Sequence, residues 1–137
     1  MQYHLTLPND VNTITQLAAF VEGICEETGV SMETTMQLNL ALEEAVVNVM
    51  NYAYPAGTIG YVDIDIDTGE QQMCIIISDS GIPFDPTTQK EVDITLSAEQ
   101  RSIGGLGIHL IRQLMDGVSY ERKDGRNILT LKKRINH

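Results

Sequence analysis

Basic residues are scarce in this 137-residue sequence, which has 9 lysines and arginines against 19 aspartates and glutamates. The net charge of −10 argues against a nucleic-acid-binding surface and against attachment to an anionic membrane. The acidic residues are spread along the chain, so they do not form an acidic tail. A site for a phosphate-bearing ligand would therefore have to rely on backbone amides, a helix N-terminus and a divalent cation rather than on a basic patch.

Cysteines and long apolar runs are also scarce. Cys25 and Cys74 are the two cysteines, and both lie in apolar-periodic segments, which favours two buried, reduced thiols over a disulfide. No Cys/His spacing resembles a zinc site, and no apolar run approaches the roughly 18 residues of a membrane span. The first residues also lack the basic segment and apolar core of a signal peptide. We therefore expect one cytoplasmic domain over residues 1–137, with neither nucleic acid nor membrane among its partners.

The periodicity of the sequence predicts the element order β-α-α-β-β-loop-α-β-β. The predicted strands cover residues 2–7, 61–67, 73–77, 118–122 and 128–132. The predicted helices start near Asp10, at Ser31 and at Gly105, and the second of them runs to about Tyr54. Because strands follow one another in pairs, we expect a mixed, mostly antiparallel sheet with the helices on one face. The predicted fold class is thus an α+β two-layer sandwich.

The second helix carries the first chemical signal. Its apolar residues share one stripe that should face a core, and they are Leu38, Leu42, Ala45, Val46 and Val49. A separate polar sector contains Gln37, Glu44, Asn48 and Asn51. Glu44 and Asn48 are four residues apart and therefore adjacent on the helix surface. A carboxylate beside a carboxamide suits a general base next to a metal ligand, although this helix taken alone is better explained as an ordinary amphipathic helix with a polar outer face.

A strand-end aspartate is the second signal. Asp79 follows the apolar run 75–77 and precedes Gly81 and Pro83. A carboxylate fixed at the end of a strand can accept a hydrogen bond from an exocyclic amine, and a glycine leaves room for a flat ring. The alternative is a turn aspartate, because Asp-x-Gly is common after strands.

A glycine-rich motif is the third signal. Gly104, Gly105 and Gly107 precede a helical pattern, so the backbone there can approach phosphate oxygens at a helix N-terminus. The Gly-Lys-Ser/Thr ending of a P-loop is absent, and the chain does not alternate β and α as a dinucleotide-binding fold does. A flexible linker is the alternative interpretation.

The order and spacing of the three motifs are more specific than any one of them. Glu-x-x-x-Asn on a helix, Asp-x-Gly-x-Pro at a strand end, a long loop and Gly-Gly-x-Gly opening a helix resemble the ATP-binding fold shared by gyrase, Hsp90, histidine kinases and MutL. Within this superfamily the chain is similar to the anti-sigma factor serine/threonine kinases of bacterial partner-switching systems. The segments that carry the resemblance are EEAVVNVMNYAYP (43–55), ISDSGIPFDP (77–86), GGLGIHLIRQLMDGVSYER (104–122) and GRNILTLKKR (125–134).

The resemblance implies ATP and Mg²⁺ as cofactors and a role for each matching residue. Glu44 would be the general base, and Asn48 would be a Mg²⁺ ligand. Asp79 would receive the adenine amino group, while Thr130 would help to hold adenine through a water molecule. The other residues expected at the nucleotide are Asn51, Gly81, Pro83, Gly104, Gly105, Leu106, Gly107 and Ile108. The segment 82–103 would form a lid over ATP.

Two positions depart from the pattern of such kinases. Tyr52 stands where a histidine is common. Arg101 lies two residues further from the glycine motif than the arginine of related kinases. It is a catalytic candidate that either stabilises charge on the transferring phosphoryl group or is simply solvated.

The resemblance implies a protein serine/threonine kinase that acts as an anti-sigma factor. Such a kinase would phosphorylate an anti-sigma factor antagonist, a STAS-domain protein, and would sequester a sigma factor or a similar effector. Related kinases also suggest a homodimer. The alternative function is a nucleotide-dependent partner-binding switch without phosphotransfer. A third interpretation is a structural α/β domain in which the glycines and Asp79 serve only turns, and it predicts no nucleotide binding.

Overall fold

The computed structural model describes residues 1–88 and 107–135. The elements in chain order are β1 (Gln2–Pro8), α1 (Ile14–Thr28), α2 (Met32–Tyr52), β2 (Tyr61–Thr68), β3 (Gln72–Asp79), α3 (Gly107–Leu114), β4 (Gly117–Lys123) and β5 (Arg126–Arg134). The predicted order of elements is confirmed. Within the described residues, no helix is both long enough and apolar enough to cross a membrane.

The five strands form one sheet in the order β1-β2-β3-β5-β4. Every strand pair in the described part of the chain is antiparallel, so the sheet is not mixed. The β2–β3 and β4–β5 pairs are hairpins, and the β4–β5 turn has positive φ at both Asp124 (53°) and Gly125 (77°). Asp-Gly is typical of such a two-residue turn because both central residues must tolerate positive φ. The predicted α+β two-layer architecture is confirmed.

The core lies between the sheet and the helices. All five residues of the predicted α2 stripe are buried, and so are Val62, Ile64 and Ile66 on the inner face of β2. Asp63 and Asp65 alternate with them and point to the outer face, as the period of two requires. Cys74 also alternates out of the core and is only half-buried, whereas Cys25 is buried. The prediction of two buried thiols therefore holds for Cys25 alone, and both cysteines are free.

The ends of α2 are set by local chemistry. Ser31 caps its N-terminus by accepting a hydrogen bond from the Thr34 backbone N–H at 3.2 Å. Gly29, with φ of 74°, ends the preceding helix in the left-handed conformation that glycine adopts without strain. At its other end α2 stops at Tyr52, two residues earlier than predicted, and Ala53 is its C-cap. The chain then continues through residues 53–60 to β2.

Candidate active site

Glu44 and Asn48 lie on α2 where the helix faces the start of α3. Asn48 is buried with 2% of its surface exposed, and Glu44 is half-buried. Gly107, the first described residue of α3, lies directly against both. A Cβ atom at Gly107 would come within 2.5 Å of Asn48 Nδ2 and 2.6 Å of Glu44 Oε1. The fold thus brings the carboxylate, the carboxamide and the last glycine of the glycine-rich motif together.

Asp79 lies at the end of β3 and is almost completely buried, with 1% exposure. Its Oδ1 atom accepts hydrogen bonds from the Gly81 backbone N–H at 2.8 Å and from Asn127 Nδ2 at 2.9 Å. Its Oδ2 atom is buried and has no hydrogen-bond partner among the residues that the structure describes. Burial raises the pKa of the Asp79 carboxyl, and the two hydrogen bonds together with Arg122 and Arg126 oppose that rise. A buried, unpaired carboxylate oxygen is what a ligand N–H donor needs.

Gly81 is required by a close approach of two backbones. A Cβ atom at this position would overlap the carbonyl group of Ala53, just beyond the end of α2. The Ile82 backbone N–H donates to that same Ala53 carbonyl at 2.8 Å. The loop after β3 is therefore joined to the end of the helix that carries Glu44 and Asn48.

Asn127, near the start of β5, is the residue that lies beside Asp79, and sequence reasoning missed it. The β3–β5 register pairs Asp79 with Asn127, so both point to the inner face. Thr130 is three residues further along β5, where it pairs with Ile76 on the outer face. The structure therefore does not bring Thr130 to Asp79, because an odd number of residues along a strand reverses the face.

Two arginines and a tyrosine support the Asp79 loop. Arg122 Nη1 donates to the Gly81 carbonyl at 2.9 Å, and Arg126 Nη1 donates to Ser80 Oγ at 2.7 Å. The Ser80 backbone N–H donates to the Tyr54 hydroxyl at 3.1 Å. A cavity of about 940 Å³ lies beside these groups, and Asp79 does not line it. The loop is thus held by hydrogen bonds with Tyr54, just after α2, with Arg122 in β4 and with Arg126 in β5.

Tyr52 links the beginning of the expected lid to Glu44. Its ring stacks on Phe84, with ring centroids 5.5 Å apart and an interplanar angle of 27°. Burial raises the pKa of the Tyr52 hydroxyl, and the nearby Glu44 carboxylate raises it further. The position where related kinases commonly carry histidine therefore contributes to the wall of the same site.

The remaining predicted residues are placed as follows. Asn51 is exposed near the C-terminus of α2, Pro83 is exposed in the loop after β3, and Ile108 is buried in α3 with 1% exposure. Arg101, Gly104, Gly105 and Leu106 lie outside the described residues, as do positions 89–103 of the expected lid.

The described residues fit a magnesium–nucleotide ligand. Asn48 Nδ2 is buried without a hydrogen-bond partner in the described part of the chain, so this amide has an unused N–H donor that a phosphate oxygen could accept from, while Mg²⁺ itself would be held by the amide oxygen. The described residues contain no group of three or more His, Cys, Asp or Glu side chains that could hold a metal ion by themselves. Proteins usually hold Mg²⁺ with one or two side chains plus substrate phosphates and water, so a single side-chain ligand such as Asn48 fits this ion.

Comparison with known proteins decides the family. Residues 7–133 match the family model described as histidine kinase-like ATPase domain. The chain belongs to this ATPase family. It is 31% identical to the serine-protein kinase RsbW of Listeria monocytogenes over 116 residues, covering 82% of this chain and 74% of that kinase. It is also 28% identical to the serine/threonine-protein kinase BtrW of Bordetella bronchiseptica over 127 residues, covering 93% and 89%.

Solved structures show the same fold. A Mycobacterium tuberculosis protein with RsbU and RsbW domains matches with a TM-score of 0.71 at 16% identity, over 98% of this chain and 32% of that one. The histidine kinase domain of a blue-light activated kinase from Erythrobacter litoralis matches with a TM-score of 0.54 at 14% identity, over 93% of this chain and 61% of that one. The predicted resemblance is confirmed: this member of the ATPase family is a protein serine/threonine kinase of the anti-sigma factor type.

Proposed function

We propose that this kinase transfers the γ-phosphoryl group of Mg·ATP to a serine or threonine hydroxyl of a STAS-type anti-sigma factor antagonist. We further propose that it sequesters a sigma factor or a similar effector when the antagonist is not bound. The observation that carries the proposal is the meeting of Glu44, Asn48 and Gly107 at one end of a site whose other end is the unpaired Asp79 oxygen.

Each residue has a chemical task in this reaction. Asp79 accepts from the adenine amino group, and this fixes the nucleotide at one end. Asn48 helps to hold Mg²⁺, which when bound neutralises charge on the phosphates. Glu44 accepts the proton of the attacking hydroxyl while the new O–P bond forms and the bond from the γ-phosphorus to the leaving ADP oxygen breaks. Arg101 is proposed to stabilise charge on the transferring group.

The expected effect of removing the base follows from the geometry. Glu44→Gln keeps the size and the polar contacts of the side chain but cannot accept the proton, so transfer should fall by roughly 10²- to 10⁴-fold. Binding of ATP should persist, because Asp79 and Asn48 are unchanged. Glu43→Gln is the matched control, since Glu43 is the exposed neighbour on the same helix.

The test is transfer of label from the γ-phosphate of ATP to a purified STAS-domain antagonist. Transfer that is lost in Glu44→Gln and kept in Glu43→Gln supports the proposal, whereas undiminished transfer in Glu44→Gln removes Glu44 from the role of base. ATP binding by the wild type without any phosphorylated product would instead indicate the nucleotide-dependent switch. Sequestration is tested separately, by measuring the affinity for a purified sigma factor with and without the antagonist.

A further inference from the structure

The carboxamide of Asn127 uses its full hydrogen-bonding capacity. Its Oδ1 atom accepts from the Tyr120 hydroxyl at 2.6 Å and from the Phe84 backbone N–H at 3.1 Å. Its Nδ2 atom donates to Asp79 Oδ1 at 2.9 Å and to the Ile82 carbonyl at 2.8 Å. An amide has two N–H donors and two acceptor lone pairs, so all four are used. Rotating this buried amide by half a turn would set its N–H groups against the Phe84 N–H and its oxygen against Asp79 Oδ1 and the Ile82 carbonyl, and its orientation is therefore fixed.

With the amide in this orientation, the two Asp79 oxygens differ in their hydrogen-bond partners. Oδ1 is occupied by Asn127 and by the Gly81 N–H, whereas Oδ2 has no partner among the described residues although it is buried. The Asn127 hydrogen bond also opposes the effect of burial, which raises the pKa of the Asp79 carboxyl. This hydrogen bond favours the ionised carboxylate, whose oxygens accept from a ligand, over the protonated acid, which would present a donor.

We propose that Asn127, oriented by the Tyr120 hydroxyl, is a positioning residue that directs the free oxygen of Asp79 towards the exocyclic amine of adenine. The inference rests on the proposed function, because it assumes that adenine occupies the site beside Asp79. Guanine carries a carbonyl oxygen where adenine carries the amine, and a carboxylate oxygen repels it. The hydrogen bonds from the Tyr120 hydroxyl to Asn127 and from Asn127 to Asp79 form a relay, and this relay therefore determines the selectivity for adenine. Neither Tyr120 nor Asn127 needs to touch the nucleotide to have this effect.

Comparing the binding of two nucleotides distinguishes a positioning role of Tyr120 and Asn127 from a general structural role. ATP carries the exocyclic amine, and purine riboside triphosphate has the same ring system and phosphates without it. Calorimetric titration with each nucleotide in the presence of Mg²⁺ gives a ratio of affinities that reports the amine contact alone. Tyr120→Phe removes one hydroxyl and should weaken the binding of ATP by roughly 2- to 12-fold, the effect of one neutral hydrogen bond. The affinity for purine riboside triphosphate should be unchanged. Asn127→Ala should lower the ratio further, because the Asp79 oxygen loses its anchor.

The controls are residues of the same type outside the relay. Tyr61→Phe changes an exposed tyrosine at the start of β2, and Asn12→Ala changes an exposed asparagine before α1, so both should keep the wild-type ratio. Thermal melts verify that each variant is folded. If Asn127→Ala does not fold, Tyr120→Phe decides, since it removes a single oxygen atom.

The outcomes are distinct. A ratio that falls in the relay variants and not in the controls supports the inference. Equal weakening of both nucleotides, or no change of either, overturns it and leaves the proposed function standing. A wild type that binds neither nucleotide overturns the proposed function and the inference together.

Discussion

Gly107→Ala offers a direct test of how closely the proposed catalytic groups are packed. The added methyl group would lie 2.5 Å from Asn48 Nδ2 and 2.6 Å from Glu44 Oε1. Non-bonded heavy atoms prefer a separation of roughly 3.5 Å or more, so each polar group would have to move by about 1 Å. The obstacle consists of side-chain atoms of Glu44 and Asn48, so the backbone of α2 does not itself block the methyl group.

The effects on stability and on activity should therefore separate. The free energy of unfolding should change by less than about 1 kcal/mol, because the strain is relieved by rotamer changes and alanine is the better helix former. Phosphoryl transfer should fall by about 10²-fold, since a displacement of about 1 Å at the reacting groups has an effect of that size. Asn48 would be displaced as well, so Mg²⁺-dependent ATP affinity should also decline.

The assay is γ-phosphoryl transfer to the antagonist, measured beside urea unfolding of the same preparation. Gly23→Ala is the matched control, because Gly23 lies inside α1 with no atom within 4 Å of an added Cβ. It should stabilise the protein by about 0.5–1 kcal/mol and leave transfer unchanged. Wild-type transfer rates in Gly107→Ala would refute the reasoning, since Glu44 and Asn48 would then tolerate displacement.

Three further predictions concern single residues of the site. Asn48→Ala should abolish or greatly weaken the Mg²⁺-dependent part of ATP binding in calorimetry, and unchanged magnesium dependence would exclude Asn48 as a ligand. Asp79→Asn should abolish ATP binding and alter the pH dependence of stability. Burial raises the pKa of Asp79 above 3.8 in the folded state. As the pH rises from that value, the native protein therefore holds on to a proton that the unfolded protein has already lost. The ionisation of Asp79 thus lowers the free energy of unfolding at neutral pH relative to acidic pH. The melting temperature of Asp79→Asn should therefore rise relative to that of the wild type between acidic and neutral pH. A difference in melting temperature that stays constant over this pH range would contradict this. Gly81→Ala should destabilise the fold by roughly 1–3 kcal/mol in urea unfolding, because its Cβ meets the Ala53 backbone rather than a movable side chain; an unchanged unfolding midpoint would show that this contact is not tight.

The sequence was sufficient to predict the elements because hydrophobic periodicity reports which face of each element is buried. Val62, Ile64 and Ile66 alternate strictly and occupy the inner face of β2. The spacing of Glu44 and Asn48 likewise fixes their adjacency on α2, since the pitch of a helix is constant. Their meeting with Gly107 could only be expected from the family resemblance, because it depends on how α2 and α3 pack.

The partner of Asp79 could not be predicted by the same reasoning. Asn127 follows an Asp-Gly turn, so it has the appearance of a turn residue, and its contact with Asp79 depends on the β3–β5 register. Strand parity did carry a usable signal: Leu129 and Leu131 are apolar and buried, so Asn127 shares their face and Thr130 does not. For Tyr52, which stacks on Phe84, the sequence carries only a departure from the family pattern.

The contact between Asp79 and Asn127 has a consequence for how the chain folds. The β2–β3 and β4–β5 hairpins form between neighbouring segments, whereas Asp79 and Asn127 are 48 residues apart and belong to the pairing that joins these hairpins. Closing a loop of this length costs conformational entropy before any contact is gained. The proposed nucleotide site requires this long-range pairing, so a nucleotide bound there would stabilise the pairing of the two hairpins by RT ln(1 + [L]/Kd). If ATP binds as proposed, separation of the C-terminal hairpin from the rest of the sheet should become rarer as the ATP concentration rises.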